Sequence, residues 1–507
     1  MPRSRPAAAG PPKRDPPRRS VLIIGSEAQP FAKTGGLADV LGALPPALAR
    51  LGWNATVALP RYRGVSAGTR LETFSVTVGG YTRPVSFYEA PLGEGARALL
   101  VDCPDLFDRP ALYGVDGTDY DDNARRFAFF VRAALEFSAR EPAAPSLVHA
   151  HDWQAGLAPV YLRSLYAAHP TLGDMPSVFT IHNLAYQGLF AADWLPRLDL
   201  GWEQFIIPRL EYWGRISFMK GGINDADIIT TVSRRYAEEI QTPQYGFGFD
   251  GILAARRADL VGILNGIDTR EWDPAHDRFL PKPFDVTDLS GKRDAKIALL
   301  QRYGLPADDA TVKRPLIGMV SRMVDQKGFD LIAALESDLA HIDATFVVLG
   351  TGEARSQDLW RRLAAAYPDH VGVHIGFDEP LAHLIEGGAD IFLMLSRFEP
   401  CGLNQMYSMR YGTVPVVHAV GGLVDTVRDY APRRAGSTGF VFHDYSPPAL
   451  LEALARALAL FTDPRKWQAL QAAGMQQDFS WDRSAQEYVK IYERALAKRA
   501  QGSGLRV

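Results

Sequence analysis

The chain is predicted to be α/β, folded as two doubly wound domains that face each other across a cleft. Three observations carry that prediction. Short, continuous apolar runs recur along the chain and alternate with helix-like stretches, the pattern of parallel strands covered on both faces. The runs fall into two sets of about six, and alternation with helices makes each set a series of βαβ units. Finally, 507 residues exceed what one core fills, because single cores rarely grow past about 250–300 residues.

Taken in order, the first 19 residues, MPRSRPAAAGPPKRDPPRR, are rich in Pro, Arg and Ala and lack the apolar stretch of a secretory signal. They read as a disordered basic arm, 1–19. The strands of the first half are SVLIIG (20–25), NATVALP (54–60), ARALLVD (96–102), SLVHAHD (146–152), SVFTIHN (177–183) and ADIITTVS (226–233). A segment rich in turn formers, 232–251, then leads to VGILNGID at 261–268, where the domain boundary is expected. The strands of the second half are PLIGMVSR (315–322), ATFVVLG (344–350), HVGVHIG (370–376), ADIFLMLS (389–396), TVPVVHA (413–419) and TGFVF (438–442). The domains are thus placed at 20–260 and 261–482, with a closing helix at about 483–507 that packs back on the first. GGLADV (35–40) and GGLVDTV (421–427) echo each other, each following a strand and opening a helix, which lends weak support to duplicated architecture.

Apolar residues make up 47% and charged residues 22%, an ordinary globular composition. A net charge of −3 argues against nucleic acid or a membrane surface as the main partner. No apolar run approaches the roughly 18 residues that span a bilayer. The two cysteines, Cys103 and Cys401, are too few for a disulfide framework, so a reducing, cytoplasmic setting is expected.

The polar residues that stand out sit just after strands, where open α/β sheets bind ligands. AKTGGLAD (32–39) follows the first strand and offers a lysine and bare glycine amides, groups suited to a phosphate. It is not a nucleotide-triphosphate loop, because the lysine precedes the glycines. Arg322 and Lys327 in SRMVDQKG (321–328) form a cationic pair placed to hold a diphosphate, a planar fork beside a compact charge. In RFEPCGLNQMY (397–407) a turn carries Glu399, and Gly402 and Leu403 are expected to open a helix whose amides face the cleft. Glu399 would meet a sugar hydroxyl or developing positive charge, or alternatively cap the helix. HAHDW (149–153) does not read as a metal site, since no H-E-x-x-H occurs among the eleven histidines. His182 and Asn183 of IHNLAYQG (181–188) follow a strand, so both can face a ligand.

KTGGLADV, LPRY, HAHDW, IHNLAYQG, ILNGID, SRMVDQKG, VLGTGE, RFEPCGLNQMY and GGLVDTV, in that order, resemble the signature of bacterial glycogen synthases and plant starch synthases. The resemblance runs from about residue 20 to about 485. It implies two Rossmann-like domains of the GT-B type and retaining transfer of glucose from ADP-glucose to the 4-hydroxyl of a growing α-1,4-glucan such as glycogen. No cofactor and no metal are implied. Residue by residue, Lys33, Gly35 and Gly36 would contact the sugar nucleotide, with Asp39 supporting the loop. Asp152, His182 and Asn183 would line the glucose pocket, and Arg322 and Lys327 would neutralise the departing diphosphate. Glu399 would sit by the glucose, with Cys401, Gly402 and Leu403 as the adjoining wall.

Two positions depart from the bacterial pattern. Phe377 stands where an adenine-stacking tyrosine is expected, which keeps the stacking face and loses the hydroxyl. Asn404 stands where some bacterial members have threonine. Both touch nucleotide preference, so a UDP-glucose-dependent transferase, or one with a small acceptor, is the rival within the enzyme class. A silent glucan-binding scaffold would have lost Lys33, Arg322, Lys327 or Glu399, and all are present. A phosphorylase would betray itself by pyridoxal phosphate absorbance. Because Lys33 lies on one domain and Arg322 and Lys327 on the other, the resemblance also implies a site completed by domain closure.

Overall fold

The computed structural model describes residues 19–115, 117–339, 341–432 and 436–503. Of the basic arm only Arg19 falls within these, pairing with Glu493 at 3.1 Å, and 504–507 at the end of the closing segment also lie outside.

Every apolar run named above forms a strand in one of two sheets. The first sheet has nine strands and is parallel over seven of them. From one edge these are Leu260–Gly262, Ile228–Thr231, Ser177–Ile181, Leu147–His151, Ser20–Ile24, Asn54–Pro60 and Ala96–Asp102. The second sheet is parallel throughout its six strands: Val371–Ile375, Thr345–Gly350, Leu316–Val320, Ile391–Met394, Val414–His418 and Phe440–Phe442.

The strand order positions the chemistry. In the first sheet the chain lays Ser20–Ile24 in the middle and later adds Leu147–His151 beside it, so the direction of winding reverses between these two. In the second the reversal falls between Leu316–Val320 and Ile391–Met394. Loops leaving adjacent strands at such a point diverge and leave a crevice. The four loops there are KTGG, HDW, SRMVDQKG and RFEPCGL.

Three features differ from the expectation. An antiparallel hairpin, Thr69–Val78 with Tyr81–Pro91, extends the first sheet beyond Ala96–Asp102. Its turn is made by Gly79 and Gly80 at φ 56° and 78°, and a Cβ on Gly79 would lie 2.2 Å from the Arg197 carbonyl oxygen. The strand Leu260–Gly262 straddles the division placed at 260/261, so the first sheet runs to Gly262. A small antiparallel sheet, Leu189–Ala191, Arg215–Ser217 and Glu211–Tyr212, stands apart from both.

The last helix, Trp481–Ser503, lies against the helix Gly36–Arg50 of the first domain. Its Tyr488, Ile491, Tyr492 and Ala495 share a core with Val40, Leu44 and Trp53. Cys401, Met406 and Tyr407 from the second half are buried in the main core of the first, with Leu403 and Trp272 packed against it. The two halves therefore meet through apolar side chains as well as across the crevice.

Candidate active site

The KTGG loop is held from below by Glu27, a carboxylate that is 4% exposed. It accepts hydrogen bonds from the amides of Thr34 at 2.5 Å and Gly35 at 3.2 Å, from the Thr34 hydroxyl at 2.6 Å and from Tyr113 at 2.5 Å. The helix Gly36–Arg50 begins directly afterwards, so Glu27 occupies the positive end of its dipole. Lys33 is exposed and reaches Asp39 at 2.7 Å. Burial pushes the Asp39 carboxyl up, and Lys33 opposes the shift. A Cβ on Gly35 would meet nothing within 4 Å, and one on Gly36 only Leu403 at 3.9 Å. The protein's own packing thus leaves the space above both glycines free.

Asp152 takes a left-handed backbone, φ 54°, directly after the strand Leu147–His151. Its carboxylate accepts from the His182 amide at 2.7 Å. Burial raises its pKa to about 7, with the amides of His182 and Asn183 acting against the shift. Near neutral pH the carboxyl can therefore hold a proton or release it. His182 is half-buried and its Nε2 lies 2.8 Å from Nδ1 of His151, which leaves Nδ1 of His182 for a ligand. Burial lowers the His182 pKa to about 3, so the ring is neutral and offers a hydrogen-bonding edge. His149 lies behind, between Tyr492 of the last helix at 2.8 Å and Thr180 at 2.6 Å. The Asn183 side chain accepts from the Ala185 amide at 3.1 Å, so its oxygen stabilises the local turn and only its amide nitrogen remains for a ligand.

In the second domain Lys327 donates to Glu399 at 2.6 Å, and Ser396 donates to the same oxygen at 2.7 Å. Glu399 is 6% exposed, and it caps no helix. Arg322 is exposed, and its guanidinium makes no ion pair among the described residues. The helix after the turn begins at Asn404 rather than at Gly402 and Leu403, because Gly402 takes φ 70° and breaks the helical path. Cys401 is buried, which pushes its thiol up to about 12, and Asn404 donates to the Val320 carbonyl at 2.7 Å. Behind this turn Gly421 and Gly422 approach so closely that a Cβ would lie 1.9 Å from the Glu399 carbonyl oxygen and 2.1 Å from that of Cys401. This requirement accounts for the glycine pair of GGLVDTV.

The halves are joined beside the site by an exchange of carboxylates. Glu239 of the first domain accepts from the Gly421 amide at 3.0 Å, and Asp425 of the second accepts from the amides of Arg234 and Arg235 at 2.6 and 3.0 Å. Ser233 donates to the Pro400 carbonyl at 2.6 Å. A Cβ built on Gly36 would come within 3.9 Å of Leu403, so the loop bearing Lys33 approaches the turn bearing Glu399, whose partner is Lys327. Phe377 stands apart from these contacts, 84% exposed.

Several supporting residues escaped the sequence analysis: Glu27, His151, Ser396, Glu239 and Asp425. Glu27 carried one weak signal, an acid just after a strand and just before the glycines. Ser396 acts on Glu399 three residues on, and His151, Glu239 and Asp425 act through contacts between segments far apart in the chain.

Residues 20–255 match the starch synthase catalytic domain family, and residues 307–469 match glycosyl transferases group 1. The chain is 47% identical over 487 residues to the glycogen synthase of Koribacter versatilis (strain Ellin345), covering 95% of this chain and 99% of that protein. It is 49% identical over 483 residues to the glycogen synthase of Anaeromyxobacter dehalogenans (strain 2CP-1 / ATCC BAA-258), covering 94% and 99%. Among solved structures, the catalytic domain of starch synthase IV from Arabidopsis thaliana, bound to ADP and acarbose, superposes with a TM-score of 0.86 at 33% identity, covering 95% of this chain and 99% of that one. A sucrose-phosphate synthase from Thermosynechococcus elongatus shares the fold at a TM-score of 0.58 and 19% identity, covering 95% and 100%.

Proposed function

The chain belongs to the family of bacterial glycogen synthases and plant starch synthases, and we propose that it transfers glucose from ADP-glucose to the 4-hydroxyl of a growing α-1,4-glucan. The observation that carries the assignment of residues is the approach of Gly36 to Leu403. It supports a site in which the loop bearing Lys33 and the turn bearing Glu399, with its partner Lys327, act on one donor.

The chemistry follows from charge. Breaking the bond between the anomeric carbon and phosphate leaves negative charge on ADP and positive charge on the sugar. Lys33, Arg322 and Lys327 stabilise the former, and preorganised cations of this kind contribute on the order of several kcal/mol each. Glu399, held in place by Lys327 and Ser396, lies beside the latter. Asp152 and the neutral edge of His182 bind glucose hydroxyls. Phe377 offers an open aromatic face to adenine. With lysine and arginine already balancing the diphosphate, the reaction is assigned as metal-independent. Retention is assigned with the acceptor oxygen attacking from the face that ADP leaves, its proton passing to the departing phosphate.

The test is incorporation of labelled glucose into glycogen from ADP-glucose and from UDP-glucose, with chelator present, for wild type and Glu399→Ala. Strong incorporation from ADP-glucose that survives the chelator and collapses in the variant is expected. Incorporation from UDP-glucose alone would keep the architecture and overturn the donor. No incorporation from either would overturn the activity.

A further inference from the structure

Outside the residues assigned to transfer, His383, Glu271 and Glu379 converge at one place. One ring nitrogen of His383 and one carboxylate oxygen from each glutamate lie within 4.8 Å of one another. Glu379 opens the helix Glu379–Gly388 and His383 follows at the i+4 position, so both share a helix face. Glu271 comes from the segment after the domain boundary.

Clustered acids alone mean little, and the histidine supplies the second observation. His383 is 1% exposed. Its Nδ1 lies 2.7 Å from Asp277, while its Nε2 is buried with no hydrogen-bond partner among the described residues. A buried ring nitrogen without a partner is costly and uncommon. Trp272 stacks on the ring at 3.8 Å and 9°, and Phe279 packs beside it at 5.0 Å, so the imidazole cannot turn away. Asp277 is fixed in turn by the Tyr411 hydroxyl at 2.6 Å and the Phe279 amide at 2.8 Å. A carboxylate that orients one histidine nitrogen and leaves the other free is the usual support of a metal-bound imidazole.

We propose that His383, Glu271 and Glu379 form an accessory site for a first-row divalent cation of the zinc class. An imidazole ligand favours zinc, cobalt or nickel, whereas magnesium and calcium prefer oxygen alone. Three protein ligands leave a fourth position for water. In a tetrahedral site with bonds of about 2.0 Å the ligand atoms stand about 3.3 Å apart. A closure of at most about 1.5 Å is needed, within the rotamer freedom of two exposed glutamates that make no hydrogen bond or ion pair among the described residues. The cation would clip the segment after the boundary to the helix Glu379–Gly388. The site borders the Lys33–Asp39 pair, whose charges act on Glu271, but uses none of the groups assigned to the donor.

The test does not depend on the transfer reaction. Tag-free protein stripped by chelator is titrated with Zn²⁺, Co²⁺ and Mg²⁺ by calorimetry, with Co²⁺ followed by its visible absorption. One Zn²⁺ per chain is expected, together with a Co²⁺ spectrum of a low-coordinate site and no competition by Mg²⁺. The thermal midpoint should rise with Zn²⁺. Binding, spectrum and thermal shift should all be lost in Glu271→Gln and Glu379→Gln, which alter exposed side chains and leave the buried His383 in place. Absence of stoichiometric binding, or binding unchanged in both variants, would overturn the proposal and leave His383 as a buried ring held in place by Asp277 and Trp272.

Discussion

Removing the Lys327 ammonium should damage both stability and catalysis, and the two effects can be separated. Lys327 sits 2.6 Å from Glu399, with side chains 19% and 8% exposed. In Lys327→Ala the Glu399 carboxylate stays buried with Ser396 as its one remaining side-chain donor among the described residues. Breaking a buried pair from one side costs about 3–5 kcal/mol, and the partial exposure of Lys327 and the surviving serine contact place this case near about 3 kcal/mol. Glu399→Gln keeps an acceptor for Ser396 and removes the charge, so it should cost about 1 kcal/mol. Combining the two leaves no uncompensated carboxylate, and the double variant should regain about 2 kcal/mol over Lys327→Ala. Equilibrium urea unfolding measures all three, and glucose incorporation measures kcat in parallel. Loss of one stabilising donor should lower kcat of Lys327→Ala by about 10²–10³-fold, and the double variant should recover none of it. If the double variant is less stable than Lys327→Ala by the cost of Glu399→Gln alone, the carboxylate was never strained by losing its partner and the reasoning fails.

Phe377→Ala should weaken ADP-glucose binding by about 1–3 kcal/mol, roughly 5- to 150-fold in Kd, while leaving the unfolding midpoint unchanged because the ring is 84% exposed. Phe377→Tyr should bind at least as well as wild type; equal binding by Phe377→Ala would remove the residue from the donor site. Stability should fall on acidification below pH 6.5. His149 and His151 are fully buried, His149 is lowered to about 3 and His151 is lowered well below its ordinary value, both chiefly by burial. Folded pKa values below the unfolded one give stability that is present above about 6.5 and lost as pH drops, by about 2 kcal/mol for each histidine at pH 5. A flat urea midpoint between pH 7 and pH 5 would contradict this. Saturating ADP should compact the particle in solution scattering, since its diphosphate is assigned to cations on both domains. An unchanged radius of gyration would count against closure.

The strands were legible because parallel strands buried on both faces are written as unbroken apolar runs, and IFLML or VFTI admits few other readings. The hairpin Thr69–Val78 with Tyr81–Pro91 was not, because its first strand is mostly exposed and carries polar side chains through most of its length. The glycine pair at its turn, read together with the alternation of FSVTV, was the available signal. Loops bearing Lys33, Asp152, Arg322 and Glu399 were legible as segments because they follow strands at the points where winding reverses. The partner of each group was not. That Lys327 holds Glu399, that Glu27 holds the KTGG amides and that His151 takes one nitrogen of His182 are contacts between segments 72, 7 or 8, and 31 residues apart, and no local pattern encodes them. The helix expected at Gly402 began at Asn404 because a left-handed glycine turns the chain first.

The last helix, Trp481–Ser503, has a consequence for how the molecule is made. A ribosome emits the whole first sheet, then the whole second domain, and only then the helix that covers Val40, Leu44 and Trp53. At 5–20 residues per second, the roughly 220 residues between the end of the first sheet and Trp481 take about 10–40 s to synthesise. Through that interval the nascent first domain carries an uncovered apolar face, an invitation to chaperones or to neighbouring nascent chains. Its own strand Leu147–His151 meanwhile lacks the tyrosine that holds His149. Truncated products therefore release an unfinished first domain with an open flank, whatever the state of the second. Competence of the first domain arrives only when the helix Trp481–Ser503 has been made.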